Sequence, residues 1–197
     1  MPLPLDFLEA VLEGDVARGE AILGHRLPPA WSGSVARTLR RRAAQLRRDP
    51  TQAQWLLRAP VLRDAGLVVG HVGFHGPPDR KGMVEVGYSV LPEYRRRGFA
   101  REAVESLLDW AGRVHGITLF RASVAPRNEP SLRLVRSLGF AQTGVRWDED
   151  DGEELVFELV RTSGTGPGGR MVPNGAIDPF VATMPRASGP GSGDGRG

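Results

Sequence analysis

Residues 90–100 join a strand-like run to a helix-like run through a basic turn that contains a glycine. Backbone N–H groups at the start of a helix have no partner within the helix, and the helix dipole strengthens their attraction for anions. Gly98 allows the backbone to approach a ligand closely, and a side chain larger than that of Ala100 would block the helix entry. The three arginines at 95–97 add charge that suits a pyrophosphate. The segment therefore predicts a strand, a turn and a helix that bind phosphate, with a generic basic turn as the alternative.

The composition of the chain limits its class. Its 197 residues are 40% hydrophobic and 25% charged, which is enough for one well-buried core. The absence of cysteine excludes disulfides, thiolate metal sites and a cysteine nucleophile. The N-terminus lacks a basic signal region, and no apolar run approaches the roughly 20 residues that span a bilayer. We therefore expect a cytoplasmic protein with no membrane partner and no metal, and the net charge of +3 does not favour nucleic acid.

The periodicity of the chain changes after Arg161. Residues 162–197 are rich in glycine, proline and serine and show no sustained helical or strand period. We therefore expect one domain over residues 1–161 and a flexible tail over 162–197. Within that tail, residues 171–184 carry several apolar side chains, and docking on the domain or on a partner is the alternative to disorder.

Helical and strand patterns alternate before that boundary. Helices are predicted near 7–12, near 21–23, and from a cap at Ser34 to about residue 48, where Pro50 stops the helix. Trp31 precedes this third helix, as a core residue or as part of a lid. Further helices are predicted at 100–114 and 128–138. Strands are predicted at 55–62, 67–74, 83–90, 117–124, 141–147 and 155–160.

The strand at 83–90 carries a carboxylate in its interior. Alternation places Glu85 and Gly87 on one face and Val84 and Val86 on the other. The valines suit burial beneath a helix, whereas the glycine leaves room beside the carboxylate. A glutamate on a solvated sheet face is one interpretation. The position of this strand directly before the phosphate-binding turn favours a functional one.

Two motifs resemble those of the GNAT N-acetyltransferases, which use acetyl-coenzyme A. The first is similar to the family signature Arg/Gln-x-x-Gly-x-Gly/Ala and reads Val90-x-Pro92-x-Tyr94-Arg95-x-x-Gly98-x-Ala100. The second is similar to the family's Asn-x-x-Ser motif, whose helix ends in Gly-Phe, and here it begins at Asn128 and Ser131 and ends at Gly139 and Phe140. Asparagine suits a helix N-cap, and glycine suits the position after a helix end. The resemblance covers about residues 55–160 and is closest to the Rim-type branch, which acetylates the N-termini of ribosomal proteins.

This resemblance implies a fold and a cofactor site. The implied fold is a single α/β (α+β) domain with a mixed, mostly antiparallel twisted sheet. The sheet is flanked by helices and splayed between two adjacent parallel strands, here 83–90 and 117–124. The splay admits the pantetheine arm of acetyl-coenzyme A. The residues implied to contact this cofactor are Val90 or Leu91 through the backbone, Arg95, Arg96, Arg97, Gly98, Phe99 and Ala100 at the pyrophosphate, Asn128 at the arm and Arg133 near the nucleotide phosphates.

The chemistry of acetyl transfer suggests two catalytic residues. An alkylamine is mostly protonated at neutral pH, so a base must remove a proton before the nitrogen attacks a thioester. Glu85 is the candidate base, directly or through water, and His75 at the end of the preceding strand is a weaker one. Many family members place a tyrosine acid seven residues after the motif asparagine, but this chain has Val135 there. Ser131 is the substitute proton donor, or else a helix-start serine that bonds the backbone.

Two charged runs bear on the acceptor, which is expected to be a small amine or a protein N-terminus. One run consists of six arginines within residues 37–48, and the other is the acidic turn at 148–154. Either is a solvated face by default. The acidic turn is alternatively an attractor for a cationic amine, and the arginine helix a binder of ribosomal RNA or of an acidic partner.

Two further functions stay open at this point. A coenzyme A-binding sensor or scaffold without catalysis is the main alternative to an N-acetyltransferase, and nucleic-acid binding comes third. A homodimer is possible for this kind of fold.

His71 alternates within a strand and is interpreted as a packed residue.

Overall fold

The computed structural model describes residues 2–150 and 152–161. The predicted flexible tail, with its apolar stretch at 171–184, lies outside the described residues. The five α-helices of this described part are α1 (Leu5–Leu12), α2 (Val16–Leu23), α3 (Pro29–Arg48), α4 (Phe99–His115) and α5 (Glu129–Ser137). The eight strands in the same residues are β1 (Leu57–Arg58), β2 (Val61–Leu62), β3 (Leu67–Val68), β4 (Gly70–Phe74), β5 (Met83–Val90), β6 (Leu119–Val124), β7 (Ala141–Asp148) and β8 (Gly152–Val160).

Six of these strands form one mixed sheet in the order β1-β4-β5-β6-β8-β7, while β2 and β3 form a separate small hairpin. β5 and β6 run parallel to each other, and the other neighbours in the sheet are antiparallel. The parallel pair requires a crossover, and α4 supplies it between the two strands. The predicted mixed, mostly antiparallel sheet flanked by helices is confirmed.

The parallel pair opens along its length. β5 and β6 pair at Met83 with Leu119, at Val84 with Phe120 and at Glu85 with Arg121. Their pairing ends there, although β5 continues to Val90 and β6 to Val124. The pairing of β5 with β4, on its other edge, continues to Val90. The sheet therefore contains a wedge between the C-terminal halves of β5 and β6.

Two hydrophobic clusters hold the helices to the sheet. One face of β5 and β6 packs with α4 and α5, and the side chains at its centre are fully buried: Val84, Phe120, Leu107, Leu108 and Val135. The second cluster joins α1 and α3 to β1 and β3, with Phe7, Trp31 and Leu39 at its centre. The indole of Trp31 donates to the Gly70 carbonyl at 3.1 Å, so its interpretation as a core residue is the correct one.

Four predicted elements had the wrong bounds. α3 begins at Pro29 rather than after a cap at Ser34, because a proline at the first helical position needs no N–H partner and already has a helical φ. The predicted strand at 55–62 is broken into β1 and β2 by Pro60, and its partner at 67–74 is broken between β3 and β4. α2 begins at Val16, earlier than the segment predicted near 21–23, and the remaining strands and helices lie within a few residues of their predicted bounds.

Candidate functional site

The start of α4 presents free backbone donors to solvent. Gly98 is the N-cap, with φ 84° in the left-handed region, and no side chain caps the helix. A Cβ on Gly98 would meet nothing within 4 Å, so the backbone here is open to a ligand. Arg96 also has a positive φ of 60°, and the Arg97 guanidinium lies over the Phe99 ring. The turn thus has the conformation that an anion site at a helix start needs.

The wedge between β5 and β6 opens after Glu85 and extends to Val90, the last residue of β5 before this turn. In an antiparallel pair, alternate residues exchange hydrogen bonds with the neighbouring strand. The Leu91 N–H donates to the Val69 carbonyl at 3.0 Å and the His75 N–H to the Glu85 carbonyl at 2.8 Å. Tyr88 and Val90 lie at the intervening positions, so their N–H and C=O groups turn toward the wedge.

Val90 and Leu91 were both predicted to bind the cofactor through their backbone, but the register of β4 and β5 turns their N–H groups in opposite directions. The Leu91 N–H is already occupied within the sheet. The Val90 carbonyl accepts from Arg95 Nε at 2.9 Å, which joins the predicted turn to the strand. Of these two residues, Val90 is therefore the one whose N–H faces the wedge.

Glu85 lies at the point where β5 and β6 part, on the face opposite α4. Its side chain is 15% exposed and forms an ion pair with Arg146 of β7 at 2.8 Å. Arg146 also contacts Glu154 of β8 at 2.8 Å, so one guanidinium bridges two carboxylates. His75 Nδ1 lies 3.5 Å from Glu85 Oε1. The predicted carboxylate thus sits in a charged cluster rather than on a solvated face.

The space beside Gly87 is filled by a histidine. A Cβ on Gly87 would lie 2.7 Å from His75 Nε2, so the glycine makes room for this imidazole. Burial lowers the pKa of His75 to about 4, against the opposing effect of Glu85, which raises it. His75 is therefore a neutral imidazole near pH 7.

A cavity of about 540 Å³ opens on this same face. Its walls come from α3, from β1, β4 and β5, and from the turn between β7 and β8. The lining residues include Arg37, Arg41, Arg42, His71, His75, Gly87 and Asp150. Half of the predicted arginine run therefore faces a cavity, and the predicted acidic turn contributes one carboxylate to it.

The start of α5 faces the other side of β5. The Asn128 side chain accepts from the Ser131 N–H at 3.3 Å, which is the predicted cap. The Tyr88 hydroxyl is buried beside the Ser131 side chain. Burial raises the pKa of Tyr88, and Ser131 opposes the rise. Arg133 remains exposed and pairs with Glu129 at 3.5 Å.

Sequence reasoning missed three polar groups at this site, namely Arg42, Tyr88 and Arg146. Arg146 lies 61 residues from Glu85 in the chain, and local periodicity carries no information about such a contact. Tyr88 was visible only as a member of the buried face of β5. Arg42 was hidden among five other arginines, although it lies on the apolar side of α3 next to Ala43 and Leu46.

The buried His71 gives a testable dependence of stability on pH. Burial and the nearby Arg42 lower its pKa to about 4, whereas an unfolded histidine titrates near 6.5. Between these values the unfolded state binds more protons, so this contribution is complete above about pH 6.5 and is lost as the pH falls toward 4. We expect acidification from pH 7 to 4 to cost about 3 kcal/mol through this residue.

Urea unfolding at pH 7.0, 5.5 and 4.5 measures this effect. The loss of stability on acidification should be smaller in His71→Gln than in the wild type. His25→Gln, which changes a histidine outside the cavity, serves as the control. An equal pH dependence in His71→Gln and the wild type would contradict the assignment.

Within residues 2–150 and 152–161, no helix is long and apolar enough to cross a membrane, and no cluster of histidine and acidic side chains suits a metal ion.

Known proteins are similar to this chain in sequence and in fold. The family model described as Acetyltransferase (GNAT) domain matches residues 9–141. The uncharacterized N-acetyltransferase YoaA of Bacillus subtilis is 34% identical over 83 residues, which are 42% of this chain and 47% of YoaA. The uncharacterized N-acetyltransferase p20 of Bacillus licheniformis is 32% identical over 103 residues, 52% of this chain and 58% of p20. The chain thus spans about half the length of the curated relatives it matches.

Solved structures share the fold at low sequence identity. The ribosomal-protein-S5-alanine acetyltransferase of Vibrio fischeri superposes with a TM-score of 0.51 at 21% identity, covering 60% of this chain and 67% of that one. A putative ribosomal-protein-serine acetyltransferase of Vibrio cholerae has a TM-score of 0.51 at 18% identity, covering 62% and 74%. These neighbours bear on the fold alone. The family match spans well over half of the chain, and the protein belongs to the GNAT acetyltransferase family.

Proposed function

We propose that this protein is an acetyl-coenzyme A-dependent N-acetyltransferase that acts on a primary amine, and that residues 1–161 form its catalytic domain. The observation that carries the proposal is that three features follow one another along β5 and the turn after it. Glu85 lies where β5 and β6 part, the Val90 N–H faces the resulting wedge, and the uncapped start of α4 follows at Gly98. Family membership supports the same reaction class.

The residues at the wedge and the turn fit the acyl donor. The backbone at Gly98, Phe99 and Ala100 would hold the pyrophosphate, with charge from the arginines at 95–97. Val90 would bind the thioester carbonyl through its N–H, and Asn128 would border the pantetheine arm. Arg133 would lie near the nucleotide phosphates. When bound, acetyl-coenzyme A supplies the activated acetyl group that the acceptor nitrogen attacks.

Glu85 is our candidate for the general base. It would accept a proton from the acceptor nitrogen, directly or through a water molecule, so that the lone pair is free to attack. Arg146 fixes the carboxylate in position by an ion pair at 2.8 Å. The neutral imidazole of His75, 3.5 Å away, is the second group able to take or relay that proton.

The Val90 N–H would stabilise the negative charge that develops on the carbonyl oxygen during attack. A backbone donor held by the sheet is in place before the reaction and loses little energy to reorganisation. This role requires a donor that the sheet leaves free, and the register of β4 and β5 meets that requirement at Val90 but not at Leu91.

Ser131 is our candidate for the group that protonates the departing sulfur. It lies at the N-terminal end of α5 with the Tyr88 hydroxyl beside it. Burial raises the pKa of Tyr88, so this phenol keeps its proton at neutral pH and is able to replenish Ser131. The pair would take the place of the tyrosine acid that other family members carry where this chain has Val135.

We expect Ser131→Ala to lower kcat about tenfold, because the thiolate then leaves without a positioned proton donor. The affinity for acetyl-coenzyme A should change little, since the Asn128 cap uses the backbone of Ser131 rather than its hydroxyl. Steady-state kinetics and calorimetric titration measure the two quantities. Ser137→Ala, at the other end of α5, is the matched control. Wild-type turnover in Ser131→Ala would remove this residue from the mechanism.

The acceptor is a small amine or a protein N-terminus. The Vibrio neighbours named above are described as acetyltransferases of ribosomal-protein alanine and serine. An assay panel should therefore include N-terminal peptides. Small amines belong in the same panel because the cavity is of the size that holds a small ligand, about 300 to 1,000 Å³.

Release of free coenzyme A thiol tests the proposed reaction. The assay supplies acetyl-coenzyme A with a panel of amines and N-terminal peptides, and mass spectrometry of the product locates the acetyl group. We expect acceptor-dependent thiol release, with intersecting rather than parallel double-reciprocal lines, because both substrates bind before transfer. Tight binding of acetyl-coenzyme A with no turnover on any acceptor would instead favour a coenzyme A sensor.

A further inference from the structure

The cavity beside Glu85 is built mainly from cationic and polar side chains. Arg37, Arg41 and Arg42 reach it from successive turns of α3, and His71 and His75 reach it from β4 and the loop after it. Asp150 is the one carboxylate among the lining residues that the structure describes. Guanidinium groups thus outnumber carboxylates in the wall of the cavity.

Arg42 is the strongest indication of what this cavity binds. It is 4% exposed, and its Nη1 donates to Gln45 Oε1 at 2.6 Å and to the His75 carbonyl at 2.9 Å. Its Nε has no hydrogen-bond partner among the described residues. Burial, together with the neighbouring Arg41, lowers the pKa of Arg42 to about 10, against the opposing effect of Glu85. A buried guanidinium with an unused donor is unfavourable unless an acceptor completes it.

Two more residues of the cavity wall favour an anionic ligand. His71 is 8% exposed, and its Nδ1 also lacks a partner within the described part of the chain. Arg41 lies one residue before Arg42, in the wall of the cavity, and is exposed on α3. A polycation in this cavity would meet the like charges of Arg41 and Arg42, whereas a carboxylate or phosphate would neutralise them.

We propose that the acceptor is an amine that also carries an anionic group, a carboxylate or a phosphate, and that Arg41 and Arg42 bind this group. The inference rests on the proposed acetyl transfer and names its acceptor class. With the anionic group held against α3, the amine nitrogen is left for the part of the cavity bordered by Gly87 and Asp150, next to Glu85. The proposal argues against the alternative interpretation of the acidic turn as an attractor for a cationic amine.

Matched acceptors test the charge preference. Phosphoethanolamine is compared with ethanolamine, β-alanine with β-alaninamide, and a tripeptide with aspartate in second place with its asparagine counterpart. Putrescine represents polycationic amines. We expect kcat/KM to be at least about tenfold higher for the anionic member of the preferred pair, because a neutral analogue leaves buried donors unsatisfied. The three pairs distinguish a phosphate, a free carboxylate and an acidic peptide as the source of the charge.

Two neighbouring arginines provide the variant and its control. Arg41→Gln removes a charge from the cavity wall, whereas Arg40→Gln removes one from an exposed position of the same helix that does not line it. The ratio of kcat/KM between the anionic and the neutral acceptor should fall about tenfold in Arg41→Gln and less than twofold in Arg40→Gln. Calorimetric binding of phosphoethanolamine, β-alanine and the acidic tripeptide to the wild type and both variants gives a readout that does not depend on turnover.

The outcomes separate the two claims. Faster transfer to neutral or polycationic acceptors than to their anionic counterparts would overturn the inference and leave acetyl transfer intact. Equal binding of the anionic probes to Arg41→Gln and the wild type would overturn it as well. Absence of turnover on every acceptor, with acetyl-coenzyme A bound, would contradict the proposed function, while weaker binding of an anionic probe by Arg41→Gln would still support an anion site.

Discussion

Replacing Glu85 with glutamine is expected to lower kcat about 100-fold, because an amide does not accept the proton that the acceptor nitrogen must lose. The substitution keeps the size of the side chain and leaves Arg146 paired with Glu154, so the fold should persist. Affinity for acetyl-coenzyme A should stay within about twofold, since we propose that the face of β5 carrying Glu85 binds the acceptor. Stopped-time thiol assays and calorimetry measure both quantities.

The control for this variant is Glu9→Gln. Glu9 also forms a carboxylate–guanidinium pair, with Arg47 at 2.8 Å, but it lies on α1 away from the wedge. Wild-type turnover in Glu85→Gln would exclude Glu85 as the base and leave His75 as the group to test.

Replacing Gly98 with alanine should weaken acetyl-coenzyme A binding about 100-fold. The added methyl group occupies the open space at the helix start and keeps phosphate oxygens from the backbone N–H groups, and two lost charge-assisted hydrogen bonds account for this magnitude. The substitution also strains the backbone, at about 1 to 2 kcal/mol for a non-glycine residue in the left-handed region.

Gly116→Ala separates strain from ligand contact. Gly116 ends the same helix with φ 67°, also in the left-handed region, and a Cβ there would also meet nothing within 4 Å. Both variants should lose similar stability in urea unfolding, while the affinity for acetyl-coenzyme A should fall in Gly98→Ala alone. Equal affinities in the two variants would show that the turn does not hold the pyrophosphate.

The sequence predicts the parts of this protein that are encoded by neighbouring residues. The α5 helix was predicted within a residue of its bounds, because Asn128 and Gly139 provide a local start and stop signal. The face of β5 that carries Glu85 follows from the period of two. The α3 start was missed because serine is a common helix cap and Ser34 was the predicted one, whereas the consecutive prolines before Ala30 set the start.

The contacts around each site residue could not be predicted from its neighbours in the sequence. The Arg146 bridge, the unused Arg42 Nε and the burial of Tyr88 arise from contacts between elements far apart in the chain. Six arginines within α3 read as one charged surface, yet the fold turns Arg42 into the interior and leaves Arg40 in solvent. The acceptor class therefore had to be inferred from the assembled cavity.

A crystal structure with coenzyme A bound tests the central claim most directly. We predict that the pantetheine arm lies in the wedge between β5 and β6, with the pyrophosphate on the N–H groups at the start of α4 and the thiol near the Val90 N–H. The thiol should point toward the cavity that Glu85 and His75 border. Coenzyme A bound elsewhere, or bound with the wedge closed by additional pairing of β5 with β6, would contradict this account.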